Sequence, residues 1–89
     1  MQKIRGWKSN SKKLGREFIF KDFKNAMDFV NAVANIAESE NHHPDIHIYW
    51  NKVRLELTTH SSGKVTQMDF KMAAKINAAA LALLNLKGV

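Results

Sequence analysis

The chain has 89 residues, with 14 Lys and Arg against 8 Asp and Glu and a formal net charge of +6. That length predicts one small domain over residues 1–89, and a hydrophobic content of 45% argues against disorder. The absence of cysteine excludes disulfides and thiolate metal sites, and no apolar run is long enough to span a bilayer.

The first residues, Met1 to Trp7, lack the apolar stretch of a secretory signal, so a cytoplasmic protein is expected. Eight of the 14 Lys and Arg precede Asn25. Such a bias would suit nucleic acid or an anionic substrate. The charges are interspersed, however, and no nucleic-acid motif accompanies them, so nucleic-acid binding is not the expected function.

Gly6 and Trp7 open the first ordered segment, and Ser9-Asn10-Ser11 is a turn cluster. From Leu14 to Phe20 the pattern has period two. Phe18 and Phe20 share one face, with Glu17 and Ile19 opposite. This predicts a strand paired with the Trp7 segment across the turn. Asp22 then offers a helix cap. Phe23, Ala26, Met27, Val30, Val33, Ala34 and Ala37 follow helical spacing, and Phe29 and Ile36 widen the stripe. A helix from about Phe23 to Glu40 is predicted. His42-His43-Pro44 lies just past its end, where proline forces the preceding residue out of the helical region.

Two alternating runs follow, Ile46 to Trp50 and Val53 to Leu57. A turn at Asn51-Lys52 would pair Trp50 with Val53, Ile48 with Leu55 and Ile46 with Leu57, with His47 and Tyr49 on the other face. Thr58 to Gly63 reads as a polar loop. Thr66 and Asp69 have the spacing of a capping box. A last helix, from about Gln67 to Leu86, carries apolar residues nearly all round, which predicts a subunit interface. The order ββα-ββα is an α+β arrangement.

Three of the four histidines, His42, His43 and His60, fall at element ends where a fold can gather them. Three readings follow. A zinc site would use these histidines with Glu38 or Asp69, but adjacent histidines rarely reach one ion and none of the usual zinc spacings is present. A structural reading has the histidines cap a helix end and tie a loop. The third is metal-free acid–base catalysis, because imidazole titrates near neutral pH. Composition and spacing leave these open. Asp69 likewise reads both as a cap and as a carboxylate orienting a histidine. Glu38, one turn before His42, would orient it or face solvent. His47 is expected to be a strand or interface residue.

The ordered set Glu38, His42-His43-Pro44, Trp50, His60 and Asp69 resembles the signature of the pterin-4a-carbinolamine dehydratases. Gly6-Trp7, Phe18 to Phe23, Val33-Ala34, Trp50 to Val53, Thr59-His60 and Ala73 to Ile76 resemble that family too, so the likeness runs from Gly6 to Ile76. It implies a four-stranded antiparallel sheet with helices packed on one face, assembled as homodimers or homotetramers. It also implies a 4a-hydroxytetrahydrobiopterin dehydratase that uses no metal or organic cofactor and serves tetrahydrobiopterin recycling. The three histidines, His42, His43 and His60, map onto the family's active site, with His42 and His60 expected as the acid–base pair and His43 orienting the pterin. Pro44 and the loop Thr59-His60-Ser61-Ser62 are expected to contact the pterin. The resemblance also admits a partner-binding protein without catalysis, acting as a transcriptional coactivator or assembly factor. Asn41, Asn77 and Lys64 depart from the family's common residues.

Overall fold

The computed structural model describes residues 4–10 and 12–85. The expected turn residue Ser11 and the helix end at Leu86 lie outside them. Six elements follow in order: β1 (Lys8–Ser9), β2 (Leu14–Ile19), α1 (Phe23–Glu40), β3 (Asp45–Tyr49), β4 (Lys52–Leu57) and α2 (Gln67–Asn85). The strands form one antiparallel sheet in the order β1-β2-β4-β3. Both helices pack on one face, which bears out the α+β reading. Among the described residues, no helix is long and apolar enough to cross a membrane.

The alternation of β4 explains its central place. Val53, Leu55 and Leu57 are fully buried, while Lys52, Arg54 and Glu56 face the other side. A strand paired on both edges and apolar on one face buries its whole apolar set against the helices. From β2, Leu14 and Phe18 join this core, and Phe20 follows just past the strand. Their partner on α1 is Phe29, whose ring centroid lies 4.7 Å from that of Phe18 and 5.0 Å from that of Phe20. The buried stripe of α1 is Ala26, Phe29, Val33 and Ala37, so Phe29 is its centre rather than its margin. Phe23 and Ala34, expected within that stripe, are exposed. Burying one such phenylalanine contributes about 1.5–3 kcal/mol.

Helix α2 buries Met72, Ala73, Ile76 and Ala80 on one side. Ala74, Ala78, Leu81 and Ala82 remain exposed, so much of the apparent excess of apolar residues is alanine facing out. Asn77 ties the chain's start to this helix. Its Oδ1 accepts from Trp7 Nε1 (2.8 Å) and Arg16 Nη1 (2.7 Å), and its Nδ2 donates to the Arg5 carbonyl (3.0 Å). Partial burial, and then neighbouring Arg5, lower the Arg16 guanidinium from its ordinary value.

The hairpin register differs from the predicted one. Ile48 pairs with Val53 and Ile46 with Leu55, so the turn residues are Trp50-Asn51. The shift is two residues along the partner strand, which keeps every side chain on its face; alternation alone cannot detect it. Contacts with Phe20, just past β2, decide it. Phe20 N donates to the Asn51 carbonyl (2.8 Å), and Asn51 Nδ2 donates to the Phe20 carbonyl (2.9 Å). Asn51 thus extends the line of β4 beside β2. Trp50 takes the left-handed conformation (φ 51°) and stands 66% exposed instead of packing on Val53.

Candidate active site

The end of α1 sorts its two histidines. Asn41 adopts the left-handed conformation (φ 52°, ψ 42°), a common way to close a helix. His42 N then donates back to the Ala37 carbonyl (3.1 Å). The reversal turns His42 inward, where it is 9% exposed, and leaves His43 outside. Pro44 cannot continue a helix and sends the chain into β3.

The start of α2 supplies the partner for His42. Met68 N donates to Thr66 Oγ1 (3.3 Å), and the Thr66 backbone N donates to Asp69 Oδ2 (2.9 Å). This is the expected capping box, with Asp in the place of Glu or Gln. The same carboxylate is fully buried, and its Oδ1 lies 2.6 Å from His42 Nε2. The carboxylate that caps α2 and the one that meets His42 are therefore the same residue. A carboxylate that is ionised can only accept, so opposite one, Nε2 would be the nitrogen that carries the hydrogen. Among the described residues, Asn25 Oδ1 is the single buried side-chain polar atom without a partner. His42 Nδ1 also lacks a protein partner there, so it reaches solvent.

Glu38 pairs with the other histidine. Its Oε2 lies 2.6 Å from His43 Nε2, with His43 55% and Glu38 78% exposed. Of the two readings for Glu38, it faces solvent rather than meeting His42, which the helix reversal turns inward. Thr59 is buried, and its hydroxyl donates to Asp69 Oδ2 (2.8 Å) rather than to an open cleft. The loop after it is closed by backbone bonds. Thr59 N donates to the Lys64 carbonyl (3.2 Å), and Gly63 N donates to that of Thr59 (2.9 Å). Gly63 holds φ at 68°, which only glycine adopts without strain. The loop projects His60, Ser61 and Ser62 to the surface.

His42, His43, Pro44, Thr59, His60 and Ser61 meet at one cleft of about 470 Å³. Ser62 is not in its wall. Asn41, Asp45 and Met68 complete the lining, and the sequence reading missed all three in this role. Their nearness to His42-His43-Pro44 and to Asp69 was the available signal. His47 faces the other side of the sheet, 3.7 Å from Glu56 Oε1. No three His, Asp or Glu side chains among the described residues are gathered as a metal-binding group. A further cleft of about 400 Å³ surrounds Gly15 on the far side of the sheet. Within it Lys13 lies 3.4 Å and Arg54 3.2 Å from Glu56, and Arg54 lies 3.8 Å from Glu17.

The site thus offers one buried histidine–carboxylate pair, one exposed pair and a third histidine around a single cleft. Such groups can give and take protons on more than one side of a bound molecule.

A Sulfurisphaera tokodaii protein assigned to the pterin-4-alpha-carbinolamine dehydratases is 46% identical over 77 residues, covering 86% of this chain and 83% of its own. The crystal structure of a transcriptional coactivator/pterin dehydratase from Brucella melitensis superposes with a TM-score of 0.81 at 41% identity, covering 85% of this chain and 83% of that one. A pterin dehydratase-like protein described as a RuBisCO assembly factor of the alpha-carboxysome shares the fold, with a TM-score of 0.74 at 23% identity, covering 85% of this chain and 90% of its own. The class these likenesses define is a dehydratase, a lyase that removes water. The family described as pterin 4 alpha carbinolamine dehydratase matches residues 1–79, and the chain belongs to it.

Proposed function

We propose that this protein is a 4a-hydroxytetrahydrobiopterin dehydratase, converting a 4a-hydroxy-tetrahydropterin to the quinonoid dihydropterin by histidine acid–base catalysis in tetrahydrobiopterin recycling. The observation that carries the reading is the buried His42–Asp69 pair, with His42, His43 and His60 lining one cleft.

The hydroxyl on C4a leaves as water once a proton reaches it. The C–O bond breaks, and the electron pair of a ring nitrogen forms the new C–N double bond as that nitrogen loses its proton to a base. One acid and one base, each contributing ~100–10,000-fold, suffice near neutral pH. His42 and His60 serve as this pair. His43, tied to Glu38, orients the pterin. Pro44 and Met68 offer apolar contact to a flat ring, and the Ser61 segment offers polar groups to its edge.

The test is dehydration of freshly generated 4a-hydroxy-tetrahydropterin, followed through the quinonoid product, for wild type and His42→Ala. A wild-type rate far above buffer, with a loss of ~100-fold or more in a folded variant, supports the reading. A wild-type rate equal to buffer overturns it.

Assembly as a homodimer or homotetramer through α2 belongs to the same proposal, supported by exposed Ala74, Ala78 and Leu81 along that helix. A second reading, a partner-binding protein without catalysis, draws on the shared fold of the carboxysome assembly factor and on exposed Ile19, Tyr49 and Trp50. Retained partner binding in a triple variant of His42, His43 and His60, with turnover abolished, would separate the two roles.

A further inference from the structure

The hydroxyls behind His42 point one way. Thr59 Oγ1 has one hydrogen, and it goes to Asp69 Oδ2, which as a carboxylate oxygen can only accept. The 2.7 Å contact between Thr59 Oγ1 and Thr66 Oγ1 therefore needs Thr66 as donor. Thr66 Oγ1 in turn accepts from Met68 N. The order is fixed: Met68 N–H to Thr66, Thr66 O–H to Thr59, Thr59 O–H to Asp69, and Asp69 Oδ1 facing the Nε2–H of His42.

We propose that Thr59 is a positioning residue: its hydroxyl pins Asp69 Oδ2 so that Oδ1 holds His42 as the Nε2–H tautomer, with Nδ1 as the nitrogen that meets substrate. Oδ2 receives two hydrogen bonds, from Thr59 Oγ1 and Thr66 N. Without the hydroxyl it keeps only the backbone donor. The carboxylate then swings about its Cβ–Cγ bond, and the imidazole loses its preference between nitrogens. Thr59 is 7% exposed, and its one proton is spent inside this chain, so it gives none to a ligand. The conclusion about catalysis rests on the dehydratase reading, whereas the tautomer claim stands on geometry alone.

Nitrogen-15 spectra of the substrate-free protein, taken well above neutral pH, read the tautomer directly. Wild type is expected to show His42 protonated on Nε2. Protonation on Nδ1 would overturn the proposal without any variant. In Thr59→Val the His42 signals are expected to become those of mixed tautomers, and the dehydration rate to fall ~10–100-fold at unchanged KM. Thr59→Ser, which restores the hydroxyl, returns the single tautomer and most of the rate. An unaltered His42 spectrum in folded Thr59→Val would overturn the relay. A wild type that shows the expected tautomer but no turnover leaves the relay standing and sinks the dehydratase reading alone.

Discussion

His42 Nε2 and Asp69 Oδ1 stand 2.6 Å apart, although 27 residues separate them in the chain. The contact joins the end of α1 to the start of α2. Asp69 caps one helix, meets a histidine beyond the other and accepts from Thr59, all while fully buried. Asp69→Asn replaces one acceptor oxygen with a donor, so either His42 is switched to the Nδ1–H tautomer or a bond to Thr59, to Thr66 N or to His42 fails. We expect a fall of ~100-fold or more in dehydration rate and a loss of about 2–3 kcal/mol in urea unfolding, from an unmet buried group and a weakened cap.

The second pair should behave differently. His43 and Glu38 are exposed, and exposed ion pairs contribute little to stability. Glu38→Gln is expected to move Tm by no more than ~4 °C, and His43→Ala to stay near the same limit. Turnover should separate them, with His43→Ala losing ~10-fold or more and Glu38→Gln less. Calorimetry beside a rate assay checks both. A large drop in Tm for His43→Ala would return this histidine to a structural role.

The left-handed turn at Asn41 predicts a graded series. Glycine adopts φ near 52° freely, and a β-branched residue does not. Asn41→Gly should be neutral to slightly stabilising, whereas Asn41→Val should cost about 1–2 kcal/mol in denaturant unfolding. Because this turn aims His42 inward and His43 outward, Asn41→Val should also lose more turnover than Asn41→Gly.

Glu40 links the helices by pairing with Lys75 and, at 3.5 Å, with Lys71. The Lys75 hydrogen bond, opposed by desolvation and aided by the Lys71 and Lys75 charges, holds its carboxyl below the ordinary value of 4.5. A carboxylate whose folded value is depressed stabilises the protein above its unfolded value, and that share is lost as pH falls through the folded one. Wild type should therefore exceed Glu40→Gln in Tm at neutral pH. The gap should close as pH drops below about 4.5. A gap that persists in acid would mean that the ion pairs are not its source.

Element existence was legible because each element obeys one local rule. Asp22 and the helical spacing gave α1 its bounds, Phe23–Glu40, and the Thr66–Asp69 box gave the start of α2. The hairpin turn was not legible. Registers two residues apart present the same faces, and only the bonds of Asn51 to Phe20, just past β2 and 31 residues away, choose between them. The depth of Phe29 was missed for a similar reason, since its burial comes from Phe18 and Phe20 on another element.

By itself the sequence determined the α+β order, both helix starts, and a histidine set at element ends together with its resemblance to the dehydratase family. Tertiary structure alone decided which carboxylate meets which histidine. It gave Asp69 to His42 and Glu38 to His43, and it directed the Thr59 hydroxyl to Asp69. The reason is physical. Helical spacing fixes what lies one turn away, but the left-handed residue at Asn41 rotates His42 off that spacing. Its partner is then set by where α2 begins across the core, a distance no local pattern encodes.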